Sequence, residues 1–210
     1  QQAFRKGDRN KLAQLLPAAR GHALEPWAAY WELRVRLGEA SPQEIQAFLQ
    51  RYAGTYQEDR LRNDWLLLLG QRRDWSQFAE QHPSYRMSDD REVRCYALLI
   101  DQIKGTAPAT VAEDVRSNWY AIRDADDGCT HAARELYGYK KLSALDVWRK
   151  ARLGVEANRP RVVRSAVEIV SPESLPQLKD VLDAPSKYLL SRATAAGKAR
   201  QELVLLALLK

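Results

Sequence analysis

Ser41-Pro42-Gln43-Glu44 is followed by Ile45, Phe48, Leu49 and Tyr52, apolar side chains three and four residues apart with polar residues between them. That spacing predicts an amphipathic helix. The tetrapeptide predicts where it begins: a Ser N-cap, Pro at the first helical position and Glu three residues after the cap. Gly54 marks its end. In PWAAYWELRVRLG, Trp27, Tyr30, Trp31, Arg34 and Leu37 fall at i, i+3, i+4, i+7 and i+10 between Pro26 and Gly38, a second helix of about three turns. Asp89 with Glu92 boxes the start of REVRCYALLIDQI, which stops at Lys104-Gly105, and Ser143 opens ALDVWRKARLGVEAN. Pro160, Pro172, Pro176 and Pro185 divide the remainder into short helical pieces. VVRSAVEIV is the one β-branched run, but Val162, Val163, Ala166, Val167 and Val170 also fit a helical stripe.

The sum is roughly ten short helices joined by turns. The expected fold class is all-α, with helices stacked as αα-hairpins into a curved, solenoid-like superhelix that occupies residues 1–210. No fixed-period signature of the tetratricopeptide kind recurs, so the superhelix is degenerate. Between Trp65 and Trp75 stand four consecutive leucines, Leu66 to Leu69. Four in succession cover all azimuths of a helix, which places that helix inside the stack.

Of 210 residues, 45% are hydrophobic and 29% charged, the balance of a soluble globular chain. The longest apolar run falls far short of the roughly 18 residues that span a bilayer, so no membrane span is expected. The chain opens QQAFRKGDRN, without Met and without the apolar core of a signal peptide, which reads as a processed or trimmed protein. A net charge of +6 favours anionic partners. Basic residues are interleaved with carboxylates, however, and no helix concentrates Arg and Lys, which argues against nucleic acid.

Chemistry-bearing patterns are sparse. Glu173-Ser174 follows Ser171-Pro172 and precedes Pro176, the setting of a turn and helix start rather than the apolar pocket that a general acid needs. Asp124, Asp126 and Asp127 resemble a calcium loop with Glu135 at position 12, but Cys129 occupies the place of the obligatory Gly and Gly128 that of a ligand. His22, His82 and His131 are scattered outside any metal or nucleophile motif. No catalytic residue, metal or cofactor is expected. Cys95 and Cys129 form no zinc pattern, leaving either one disulfide or two reduced core thiols. Among the six tryptophans, Trp31, Trp65 and Trp148 read as core, whereas Trp27 is balanced between core and ligand platform.

The order of LEPWAAYWELRVRL, EIQAFLQRYAGTYQEDRLRNDWLLLLGQRRDWSQFAEQHP, VRCYALLIDQIKG and GCTHAARELYGYKKLSALDVWRKARLGVEANRPRVV resembles the N-terminal superhelical domain of soluble lytic transglycosylases. The landmarks are an Arg-x-x-Trp-Leu-x-x-Leu segment with a downstream Asp-Trp, at Arg62, Trp65, Leu66, Leu69, Asp74 and Trp75. Cysteines matching Cys95 and Cys129 follow, then a Trp/Arg helix ending at Asn158. The likeness covers roughly residues 3 to 170. It departs from the family at Asp-Gly-Cys-Thr, where Pro-Ala-Cys-Asp is usual.

The resemblance implies a periplasmic enzyme that cuts the β-1,4 bond between N-acetylmuramic acid and N-acetylglucosamine in peptidoglycan, leaving a 1,6-anhydromuramyl end, with one Glu as acid and then base. The family's Glu-Ser helix, Gly-Leu-Met-Gln and Ala-Tyr-Asn-Ala-Gly stretches do not occur in this sequence, and Glu173-Ser174 shares only the dipeptide. The expectation is therefore a non-catalytic chain lacking the C-terminal lysozyme-like domain, its partners being that domain and peptidoglycan strands. Trp27, Arg62, Arg72 and Arg73 are the glycan-facing candidates, although solvated helix-end positions suit the three arginines better. An oxidising periplasm further implies a Cys95–Cys129 bridge closing about 34 residues, with about 3 to 4 kcal/mol of stabilisation. The alternative is a helical scaffold that binds a protein partner.

Overall fold

The computed structural model describes residues 1–192, 194 and 196–210. Among these are fourteen α-helices, two short 3₁₀ turns and no strand. The chain forms two compact units, Gln1–Val93 and Arg94–Lys210. More helices are present than the roughly ten expected, because several pieces are one or two turns long and too short to show a period.

The first unit contains α1 (Gln2–Arg5), α2 (Arg9–Ala19), α3 (Glu25–Val35), α4 (Pro42–Arg51), α5 (Tyr56–Gln71) and α6 (Trp75–Gln81). Consecutive helices pair: α2 with α3, α4 with α5, and α5 with α6. The start of α4 follows from its sequence. Ser41 Oγ accepts from the Glu44 amide at 3.2 Å, and the Glu44 carboxylate accepts from the Ser41 amide at 3.0 Å. Tyr30, Leu33, Leu37, Ile45, Phe48, Leu61, Trp65, Leu66 and Phe78 make the core. Leu66 and Leu69 are buried and Leu67 and Leu68 half-buried, so α5 is enclosed on more than one side.

The boundary between the units falls within α7 (Arg91–Lys104). Its cap lies one residue later than expected: Asp90 accepts from the amides of Glu92 and Val93, at 2.9 and 3.2 Å. Asp89 instead accepts the Tyr85 hydroxyl at 2.7 Å.

The second unit continues with α8 (Val111–Ala121), α9 (Gly128–Gly138), α10 (Ala144–Glu156), α11 (Pro160–Val170), α12 (Leu175–Asp183), α13 (Pro185–Arg192) and α14 (Lys198–Leu209). Here α8 pairs with α9, α10 with α11 and α13 with α14. The β-branched run is the helix α11, with Val162, Val163, Ala166 and Val167 buried. It lies close against α10 because position 154 is glycine. A Cβ there would meet Val163 Cγ2 at 2.9 Å and the Val163 backbone nitrogen at 3.0 Å. Cys95 in α7 and Cys129 at the start of α9 are joined by a disulfide with their Cα atoms 4.9 Å apart.

Candidate functional site

The aromatic residues of α3 form a continuous strip with their neighbours. Trp27 and Trp31, one helical turn apart, have ring centroids 5.7 Å apart. Trp27 meets Tyr56, the first residue of α5, at 5.6 Å, and Trp31 stacks on Phe4 of α1 at 6.0 Å. Phe4, Trp27 and Trp31 are half-buried and Tyr56 is exposed. Trp31 is thus not the core residue that its spacing suggested. The core face of α3 is instead Ala29, Tyr30 and Leu33, rotated from the tryptophan stripe. Trp65 and Trp148 are buried.

Beneath the strip, Tyr30 meets Trp27 edge-on at 80° and donates its hydroxyl to Asp64 Oδ2 at 2.7 Å. Arg34 Nε pairs with the same oxygen at 2.8 Å. Burial, the Asp64 charge and the hydrogen bond push the Tyr30 phenol up to about 12, while desolvation raises the Asp64 carboxyl. The aromatic strip therefore rests on a fixed polar support.

Arg62 is neither a helix-end residue in solvent nor part of a basic rim. It is buried, with Nη2 on Glu58 Oε1 at 2.7 Å and Nη1 on Gln81 Oε1 at 2.8 Å. The remaining Glu58 oxygen holds Arg86 Nη2 at 2.8 Å. Asp59 accepts the backbone amides of Arg86 and Met87 at 2.9 and 2.7 Å, so residues 86–87 are strapped onto the first turns of α5. Asn63 is fully buried and donates to Asp90 at 3.2 Å. The sequence carried one sign of this arrangement, the acidic residue four positions before Arg62. Nothing local announced that residues 86–90 would cover it.

Arg72 and Arg73 lie at the C-terminal end of α5. Arg72 is exposed and donates to the Gly38 carbonyl at 2.6 Å. Arg73, at φ 59°, donates to the Gly70 carbonyl at 2.8 Å and lies 5.8 Å from the Trp75 ring centroid. Both guanidiniums attend to main-chain carbonyls, Arg73 to one in the last turn of its own helix.

In the second unit the conspicuous group is Lys150, a buried amine on α10. It donates to the Trp119 carbonyl and, at 2.6 Å, to the Ile122 carbonyl, so it closes the C-terminal end of α8. A pocket of about 240 Å³ adjoins it, lined in part by Tyr120, Arg123, Leu153 and Val162. Burial pushes the Lys150 ammonium down to about 8 against the pull of Asp126, and burial likewise raises the Asp126 carboxyl. Sequence reading passed over Lys150 because its charge sits in an ordinary-looking WRKAR helix face.

The acidic loop is occupied by its own hydrogen bonds. Asp126 accepts from the amides of Cys129 at 2.6 Å and Thr130 at 3.3 Å, Asp127 accepts the Tyr96 hydroxyl, and Asp124 pairs with Arg159 at 2.6 Å. No group of three metal-ligating side chains occurs among the described residues. Glu173 is exposed in the 3₁₀ turn Pro172–Ser174, and a hydrogen bond from the Ser171 hydroxyl lowers its pKa. A general acid needs the opposite shift. His22 Nδ1 accepts the Leu24 amide at 3.0 Å, and His82 stacks on Phe78.

No protein-family model matches the sequence, and no curated protein matches it. Among solved structures, the chain is similar to an inactive mutant of the lytic transglycosylase Slt from Pseudomonas aeruginosa, with 24% identity and a TM-score of 0.54. It is also similar to the 70-kDa soluble lytic transglycosylase in complex with bulgecin A, with 16% identity and a TM-score of 0.59. Each match covers 98% of this chain and 34% of the other, so the shared helical fold corresponds to about a third of those proteins. Among the described residues, no helix is long and apolar enough to cross a membrane.

Proposed function

We propose that these 210 residues are the non-catalytic helical part of a periplasmic peptidoglycan lytic transglycosylase, supporting its catalytic domain and holding glycan strands. The observation that carries this reading is the fold agreement over 98% of the chain with two transglycosylases of which it spans only 34%. The order of Trp, Arg and Cys landmarks along the sequence points to the same family.

In the parent enzyme a single glutamate would protonate the glycosidic oxygen between N-acetylmuramic acid and N-acetylglucosamine. Its carboxylate would then take the proton of the C6 hydroxyl as O6 closes on C1, giving the 1,6-anhydro end without water. Glu173, exposed and with its pKa lowered, is unsuited to the first step, so the reading assigns that chemistry to another part of the parent. The disulfide between Cys95 and Cys129 suits an oxidising compartment.

Two measurements test the proposal. Coding sequence continuing beyond Lys210 should encode a Glu-Ser helix followed by Gly-Leu-Met-Gln and Ala-Tyr-Asn-Ala-Gly; a continuation without them overturns the family assignment. The purified chain should co-sediment with insoluble peptidoglycan at low salt. If it stays in the supernatant, strand holding is wrong for this chain and the protein-binding scaffold takes its place.

A further inference from the structure

We propose that the partly exposed rings of Phe4, Trp31, Trp27 and Tyr56 form the surface on which the first unit binds a β-1,4-linked amino-sugar strand. The inference rests on the glycan-holding reading above and deepens it by naming the contact residues and the mode of contact. Four rings follow one another at centroid spacings of 5.6 to 6.0 Å, none fully buried, and Tyr56 is 55% exposed. A contiguous aromatic patch left partly in water points to an interaction surface. A pyranose chair presents an apolar C–H face that packs against the exposed parts of such rings, while its equatorial hydroxyls project sideways towards polar groups at the edge.

The edges of the strip supply those groups. At the Trp31 end a groove of about 780 Å³ is lined in part by Leu12, Leu15, Leu16, Lys6 and Lys11. The nearby Asp8 carboxylate already accepts the Lys11 amide at 3.0 Å as the cap of α2. Two lysines against that one carboxylate leave the groove a small positive excess to meet the carboxylates of lactyl groups and peptide stems. On the support side, Arg34 flanks the buried Tyr30–Asp64 pair.

The strip is also held in shape. Tyr30 fixes Trp27 from below through its edge-on contact, and Asp64 fixes Tyr30. Little conformational freedom is lost when a ligand arrives, which favours affinity from stacking alone. The first unit carries fourteen Lys and Arg against thirteen Asp and Glu, so long-range charge contributes little there, and the second unit carries nineteen against fourteen. Binding through the strip is accordingly less sensitive to salt than capture by a basic surface.

The test titrates peptide-free strands of alternating N-acetylglucosamine and N-acetylmuramic acid into the 210-residue chain, read by calorimetry and tryptophan fluorescence at two salt concentrations. Trp27→Ala should weaken binding about 10-fold and Tyr56→Ala about 3-fold, the loss of one stacking contact each. Trp27→Phe, which keeps a ring, should bind nearly as the parent does. Tyr56 is exposed and its replacement leaves the core intact, so an unaltered thermal melt accompanies that loss. Strand binding that persists unchanged in all three variants overturns the strip while the glycan-holding reading survives. Co-sedimentation with whole peptidoglycan but no binding of stripped strands also overturns it, placing the contact on peptide stems. Binding to neither rejects the strip and the reading together.

Discussion

The first turns of α5 and the α10–α11 pair each have a deeply buried face, yet the two faces are held by opposite means. Around α5, Glu58, Asp59, Arg62, Asn63 and Asp64 are all buried: Glu58 pairs with Arg62, Asp59 and the Asn63 amide group bond to residues 86–90, and Asp64 is held by Tyr30 and Arg34. Between α10 and α11 the contact is apolar and close, with Val162 and Val163 against Gly154. A buried ion pair is costly to desolvate but very sensitive to the loss of one partner, whereas an apolar contact responds to volume. The same helical architecture therefore contains one region whose integrity depends on charge matching and another that depends on fit.

Removing half of the charge network should have the largest effect. Arg62→Ala leaves Glu58 buried with only the half-exposed Arg86 as partner, and a loss of about 3 to 5 kcal/mol is expected from denaturant melts. Replacing both Glu58 and Arg62 with apolar residues of similar volume should restore much of that loss. If the single and double variants are equally unstable, the network is not acting as a pair and the contrast with α10–α11 fails.

In the second unit, Cys95→Ala with Cys129→Ala should cost about 3 to 4 kcal/mol, the chain-entropy value for a loop closed over 34 residues. Thiol titration of the denatured, unreduced parent should find no free thiol; two free thiols would remove the covalent term from the comparison. Gly154→Ala should cost about 1 to 3 kcal/mol, because the Val163 backbone nitrogen lies 3.0 Å from the new methyl and cannot swing aside as a side chain end does. A neutral substitution there would mean that α11 slides freely on α10.

What the sequence disclosed follows the same division. Helix starts at Ser41 and Ser143 were legible because a capping box is contained in four residues. The α11 stripe was legible because burial of one helical face has a period. Arg62 was misread for a related reason: its i−4 partner is visible in sequence, but its second partner, Gln81, lies nineteen positions away. Trp31 was misread because the aromatic stripe and the buried face of α3 lie at neighbouring azimuths, and period alone does not choose between them. Trp27 was the candidate whose ambiguity was real, since its ring is half in the unit and half in water.

Lys150 is the place where charge enters the otherwise apolar second region, and it gives the smallest and most specific effect. Lys150→Met leaves the Trp119 and Ile122 carbonyls without their donor, at a cost of about 1 to 3 kcal/mol, partly offset at neutral pH because a desolvated ammonium disappears as well. That offset depends on pH in a known direction. The folded amine releases its proton near 8 and the free side chain near 10.5, so folding expels a proton between these values and the parent becomes more stable as pH rises through the window. The limiting slope is about 1.4 kcal/mol per pH unit. The variant lacks this term. The stability gap between parent and Lys150→Met should therefore widen from pH 7.5 to 9.5, because a neutral amine still has two N–H groups for the two carbonyls. A gap that is flat across this range would show that the ammonium is held at its ordinary pKa by those carbonyls. In that case α8 is closed by a full charge, and the contrast between the two regions is one of degree.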